Sequence, residues 1–258
     1  MSRLKQLFQD KKNNILSVFY TAGFPKLNDT VEIARHLQSG GADIIEIGIP
    51  FSDPVADGPT IQASNKVALD NGMTVKLLLE QVKEIRKDVN IPIVLMGYLN
   101  PVLQYGFEKF CKEAAANGVD GLILPDMPLD EFNEHKDLTS SLGLDVIFLV
   151  SPTTSAERIN MIDGLSSGFV YAVSSSSTTG AKKGFTADQE QYFQKLKSAN
   201  LKNPFLIGFG ISDHATFSKA SEYGSGAIVG SAFINLLQES SNFGKDISQF
   251  VESLKSKS

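Results

Sequence analysis

Two carboxylates eleven residues apart, Glu46 and Asp57, are the side chains in this sequence whose types and spacing best suit proton chemistry. Glu46 lies in the middle of Ile44-Ile45-Glu46-Ile47-Gly48-Ile49, a β-branched run between Gly40-Gly41 and Pro50 that reads as a short buried strand. Side chains alternate across a strand, so Glu46 shares a face with Ile44 and Gly48. An ionised carboxylate buried there is costly. It must find partners, reach solvent at the strand end or carry a raised pKa. Asp57 belongs to the loop that follows, FSDPVADGP over 51–59. One carboxyl fixed on a strand and a second on the loop above it make a candidate acid/base pair. The competing reading is a structural ion pair beside a loop that merely turns.

The elements that must position these groups repeat regularly. Eight short apolar runs, 15–21, 43–49, 91–97, 121–124, 145–150, 168–173, 204–209 and 226–229, are each followed by a helix-like segment. The first helix spans about 29–38. Two follow the second run, near 60–70 and 74–88, separated by the C-cap-like Asn71-Gly72. The others cover 106–116, a stretch reaching about Ser141, Ser155 to Ile162, 187–198, and a stretch capped by Ser212 that runs to Glu222. A short helix follows Gly230-Ser231, and a last one lies near 243–254. Strict β/α alternation implies a parallel sheet. Eight repeats in 258 residues is the size of one (β/α)8 TIM barrel, here with an extra N-terminal helix and a short extra helix before the last barrel helix. No linker or composition shift divides the chain, so 1–258 reads as a single domain. A doubly wound open sheet is the alternative, weakened because no G-x-G-x-x-G follows the first run.

In a closed barrel of this kind the site lies at the carboxyl ends of the strands, and phosphate is held by the loops after the last two. Here those loops are Gly208-Phe209-Gly210-Ile211-Ser212 and Gly230-Ser231-Ala232. The small, polar loop 174–184 after the sixth run reads either as a surface linker or as a lid that orders on substrate binding; its place above the pocket favours the lid.

Composition narrows the function classes. The net charge of −5, with no basic tract, speaks against nucleic acid. One cysteine, Cys111, excludes an internal disulfide framework and suits a reducing, cytoplasmic compartment. The first fourteen residues lack the apolar core of a secretory signal, and no apolar run approaches the ~20 residues of a membrane span. His36, His135 and His214 stand far apart without metal-ligand spacing, so no bound metal is expected.

The stretch from Ile45-Glu46-Ile47-Gly48 to Asp57-Gly58 resembles the signature of the tryptophan synthase α-subunit family: aliphatic-Glu-aliphatic-Gly, two residues, Phe, then Ser-Asp-Pro-x-Ala-Asp-Gly. The resemblance extends over essentially the whole chain. It implies retro-aldol cleavage of indole-3-glycerol phosphate to indole and glyceraldehyde 3-phosphate, with Glu46 as acid/base, Asp57 stabilising positive charge on the indole N–H, and Tyr171 near the reacting side chain. By the same matching Phe19, Ile61, Tyr98, Ile123 and Phe209 form the slot for the indole ring. Gly180, Gly210, Gly230 and Ser231 contact phosphate, and Thr179 is the lid threonine that bonds Asp57. Ser175 and Ser177 depart from the arginine and glycine that many bacterial members carry in this lid. The resemblance further implies a β-subunit partner in an α2β2 complex, faced by Asp53, Pro54, Asn100 and Pro101. Pyridoxal phosphate belongs to that partner, and no cofactor is expected in this chain. A stand-alone lyase, a non-catalytic regulatory subunit and another phosphate-binding barrel such as a sugar-phosphate isomerase are the competing functions. Glu46, Asp57 and both phosphate loops together argue against the regulatory subunit, and the Glu46–Asp57 loop signature argues against another phosphate-binding barrel, which would share only the glycine loops.

Overall fold

The computed structural model describes residues 2–54, 57–174 and 184–256. Nine strands form one sheet in which every pair is parallel. They are β1 (Ile15–Thr21), β2 (Ile44–Gly48), β3 (Ile93–Met96), β4 (Gly121–Ile123), β5 (Asp145–Ile147), β6 (Leu149–Val150), β7 (Val170–Val173), β8 (Phe205–Gly208) and β9 (Gly226–Val229). The sheet order is β5-β4-β3-β2-β1-β9-β8-β7-β6. Its two edges, β5 and β6, are halves of one apolar run separated by Phe148 alone. The eight expected staves are therefore present, and the cylinder is closed except for that break. The ninth strand arises because β5 pairs only with β4 and β6 only with β7.

Alternation along each strand sorts the side chains into two cores. Ile45 and Ile47 of β2 face outward into the large core beneath the helices, with Val18, Leu95, Leu122, Ile207 and Val229. Ile44, Val94, Ile123, Ile147, Tyr171, Leu206 and Ile228 fill the barrel. The N-terminal helix α1 (Arg3–Asp10), capped by Ser2, joins this inner core through Leu4 and Phe8 and stops the lower end of the cylinder. The Phe8 ring lies 5.9 Å from that of Phe169.

The outer layer consists of α2 (Asp29–Gly40), α3 (Pro59–Asp70), α4 (Val75–Ile85), α5 (Leu99–Tyr105), α6 (Phe107–Ala116), α7 (Leu129–Ser141), α8 (Ala156–Leu165), α9 (Ala187–Ser198), α10 (His214–Tyr223), α11 (Ser231–Glu239) and α12 (Phe243–Lys255). The helix expected over 106–116 is α6, and an unexpected helix, α5, precedes it; the two are broken at Gly106 with φ +96°, a conformation that side chains other than glycine's disfavour. The cap of α10 is Asp213, not Ser212. Its carboxylate accepts from the Thr216 N–H at 2.8 Å, where an acid also complements the helix dipole. Cys111 is packed into α6, and burial pushes its thiol up to about 12, so it is an inert core residue.

Candidate active site

Glu46 points into the barrel. In the sheet register it lies opposite Phe19 of β1 and Val94 of β3, both on inward-facing positions. It is wholly buried. Its Oε1 accepts from the Ser17 hydroxyl at 2.6 Å, and its Oε2 has no hydrogen-bond partner among the described residues. No cation pairs with it among those residues. Burial pushes this carboxyl up to about 7, with the Ser17 hydroxyl acting in the opposite direction. Among the described residues the strand Glu is thus not half of an ion pair.

Above Glu46 the upper rims of β1, β2 and β3 open into a cleft of about 500 Å³, part of it open to solvent. Its walls include Phe19, Ile61, Tyr98 and Phe209, four of the five residues expected to form an aromatic slot, together with Asp57. Asp57 stands half-buried at the start of α3, its Oδ2 accepting from the Tyr98 hydroxyl at 3.3 Å. Burial raises this carboxyl to about 6, the Tyr98 hydroxyl opposing. The fifth expected slot residue, Ile123, is not in the wall: its side chain lies in the inner core, paired in register with Met96, which does line the cleft. Tyr171 also belongs to the inner core rather than to the wall. Burial holds its phenol well above the ordinary value, and the charges of Glu46 and Asp57, both within electrostatic reach, add to the effect. Tyr171 therefore remains a neutral hydroxyl within electrostatic reach of both acids.

Two glycines keep this space open. A Cβ on Gly48 would come within 2.6 Å of the Phe19 ring, and one on Gly208 within 2.2 Å of the Tyr171 hydroxyl oxygen. Beyond β8 the chain enters Phe209 with φ +68° and Gly210 with φ +74°. The left-handed region is strained for an aromatic residue, and the Ser174 hydroxyl fixes it by donating to the Phe209 carbonyl at 2.6 Å. Gly230 and Ser231 open α11 with no side-chain cap, leaving that helix end free to receive an anion. Gly230 borders the Phe19 ring, 3.6 Å from where its Cβ would be. The anion-binding helix end and the aromatic cleft are therefore neighbours. Gly180 and Thr179, with Ser175 and Ser177, lie outside the described residues.

Strand alternation would have singled out Ser17, two residues before Phe19 on the same face. It also marks Met96, on the face of Val94, and Leu149, on that of Ile147; Met96 and Leu149 line the cleft. Asn65 and Pro125 also line it, and no pattern in the sequence marks them. Of the residues expected at a partner interface, Asp53 and Asn100 are exposed, Pro101 is half-buried and Pro54 is buried within its loop. Among the described residues no cluster of His, Cys, Asp and Glu could hold a metal ion.

Comparison with known proteins agrees with this geometry over the full barrel. The family model "Tryptophan synthase alpha chain" matches residues 4–257. The chain belongs to the tryptophan synthase α-chain family. It is 53% identical to the tryptophan synthase alpha chain of Flavobacterium johnsoniae over 252 residues, 97% of this chain and 98% of that one. It is 50% identical to that of Parabacteroides distasonis over 256 residues, 99% and 100% of the two chains. Among solved structures, tryptophan synthase subunit alpha from Legionella pneumophila superposes with a TM-score of 0.89 at 34% identity, over 99% of this chain and 97% of that one. A Mycobacterium tuberculosis tryptophan synthase structure gives 0.90 at 33% identity, over 98% and 97%. Tryptophan synthase α chains cleave indole-3-glycerol phosphate, need no cofactor of their own and work in an α2β2 complex whose β-subunit holds pyridoxal phosphate.

Proposed function

We propose that this chain cleaves indole-3-glycerol phosphate by a retro-aldol reaction in which Glu46 exchanges the proton, and that it hands the indole to a β-subunit. The reading rests on one observation: a fully buried carboxyl, with one oxygen unpartnered among the described residues, lies inside the barrel below an aromatic-walled cleft, where burial pushes it up to about 7. Such a group gives and takes protons near neutral pH. Cleavage adds a proton to C3 of the indole and removes one from the neighbouring side-chain hydroxyl. The C3–C bond then breaks, the hydroxyl carbon becomes the aldehyde and C3 regains its place in the aromatic ring. One acid/base that donates in the first step and accepts in the second balances the protons.

The other roles follow from position. Asp57, at the cleft wall, accepts a charge-assisted hydrogen bond from the indole N–H as positive charge develops there. Tyr171 offers a neutral hydroxyl to the reacting side chain. Phe19, Ile61, Tyr98 and Phe209 hold the ring, with Ile123 supporting them from the inner core. Gly210, Gly230 and Ser231 take the phosphate, joined by Gly180, with Thr179 bonding Asp57 when the lid closes. Exposed Asp53 and Asn100, with Pro54 and Pro101, meet the β-subunit; movement of the loop that carries Asp53 and Pro54 would shift Asp57 directly. We place the enzyme in the cytoplasm, in keeping with its single, unpaired cysteine, and read 1–258 as one domain.

Indole release from indole-3-glycerol phosphate, measured for the chain alone and with a β-subunit titrated in, tests the reading. Turnover that rises with the β-subunit to a one-to-one plateau is expected. Turnover indifferent to the β-subunit would make the chain a stand-alone lyase, and none in either arm would remove the function.

A further inference from the structure

Ser17 is an unusual occupant of its position. Strand β1, ILSVFYT, is buried along almost its whole length, and the inward positions around Ser17 are otherwise apolar. It lies opposite Ile44 of β2 and Ile228 of β9, two residues before Phe19 on the same face. A hydroxyl sealed in such surroundings is unfavourable unless it is bonded. Ser17 is wholly buried, and its hydroxyl is bonded to one group, the Glu46 carboxyl, at 2.6 Å.

We propose that Ser17 is a positioning residue for the reaction: by holding Oε1 of Glu46 it fixes the carboxyl plane and makes Oε2 the oxygen that exchanges the proton. The proposal rests on the acid/base reading of Glu46 and adds to it the atom that acts and the group that selects it. Oε1 can accept from Ser17 whether the carboxyl is ionised or neutral. The added proton then belongs on Oε2, whose lone pairs are unclaimed among the described residues. Without the hydroxyl, the two oxygens become equivalent and the carboxyl is free to turn about its last torsion, a broad and soft one. In the sheet register Ser17 lies opposite Ile44, one inward pair below Phe19 and Glu46, so it acts on substrate only through Glu46.

The hydroxyl also sets the strength of the acid. Donation to a carboxylate favours the charged form, so Ser17 counteracts part of the rise caused by burial. The side chains opposite Glu46 on β1 and β3, Phe19 and Val94, do not titrate, and neither does Ile228 of β9, which lies opposite Ser17. Among the described residues the titratable group in electrostatic reach of Glu46 is Tyr171 on β7, which Asp57 at the rim also reaches; neither can replace a lost donor from the side of β1.

Four variants of the full chain separate positioning from packing. Ser17→Ala removes the hydroxyl with little change in volume. Ser17→Thr and Ser17→Val are matched in shape and differ only in the hydroxyl. Glu46→Gln checks the underlying reading. The Glu46 carboxyl is followed by carbon-detected NMR titration, assigned by its absence in the Gln variant, and indole release is recorded against pH. In the Ala and Val variants we expect the carboxyl titration, and the matching limb of the kcat profile, to move upward by about one pH unit. In the Thr variant both stay at the wild-type position. KM for indole-3-glycerol phosphate stays within about two-fold throughout, since only the proton-transfer step is altered. Val and Thr variants that titrate alike would overturn the proposal, as would a loss expressed in KM alone. An inactive Gln variant beside an unmoved Ala profile defeats the role of Ser17 but leaves Glu46 standing; an active Gln variant defeats both.

Discussion

The two ends of the barrel treat their buried acids in opposite ways. At the lower end Asp120, 4% exposed, is held by Arg3 at 2.9 Å, by Arg86 and by the Ile93 N–H at 2.8 Å. Asp145 is met there by Ser2 and by Lys5 at 3.3 Å, and Asp43 by Lys11 at 2.7 Å and Lys255 at 3.0 Å. Toward the upper end, among the described residues, Glu46, with no exposure at all, has one serine hydroxyl, and Asp57 one tyrosine hydroxyl. Neither has a cation among the described residues. A carboxylate ringed by cations and N–H groups ties chain segments together. One left with a single hydroxyl in a dry interior is poised to change its charge, as proton transfer requires.

Removing the poised acid gives the largest expected effect. Glu46→Gln keeps the shape and removes the titration. We expect kcat for indole formation to fall about 10⁴-fold while the circular dichroism spectrum is unchanged. Normal turnover in this variant would erase the distinction between the two ends. Asp57→Asn retains an acceptor oxygen but not the charge, and a fall of about 10²–10³-fold is expected from the lost electrostatic stabilisation. At the lower end the loss should appear in the fold instead. Asp120→Ala leaves the largely buried Arg86 guanidinium without its carboxylate, and an unfolding free energy lower by about 3–5 kcal/mol is expected in urea. Turnover per folded molecule should stay close to wild type. A variant that is stable but inactive would show that the lower acids are not merely structural.

How far this contrast could be read in advance depends on the range of the signal. That Glu46 sits on a strand face with Ile44 and Gly48 follows from period-two alternation, a local property, and the barrel places it there. The eight apolar runs are local signals too, and α9 and β9 occupy the positions expected for them. The break at Phe148 was not legible, because it depends on which neighbours β5 and β6 pair with across the sheet. Helix α5 was missed because its first turn contains Pro101, which reads as a stop, although an early helix position tolerates proline. The partners of the buried acids were equally hidden. Ser17 and Glu46 are 29 residues apart, and Arg3 and Asp120 are 117 apart, so only the closure of the barrel brings each pair together. A bare sequence shows where an acid is costly; it does not show whether the fold neutralises it.

That difference should be measurable as stability against pH. The Glu46 carboxyl rises from 4.5 to about 7 on folding because burial disfavours its charge. Between those values the folded chain holds a proton that the unfolded chain releases, so stability falls as pH rises through the interval, and the loss is complete above about 7. At 1.36 kcal/mol per unit the cost is about 3 kcal/mol. Asp57 adds to it with the same sign, weakened by its contact with solvent. Glu46→Gln removes the larger contribution. Urea unfolding of wild type and variant should therefore nearly coincide at pH 4.5 and diverge upward, with the Gln chain more stable by about 3 kcal/mol at pH 8. A pH-independent gap would mean that Glu46 is solvated or paired in solution, and that the barrel has no second kind of acid. A gap that opens as described would show that the group proposed to run the reaction weakens the fold at the pH where it works.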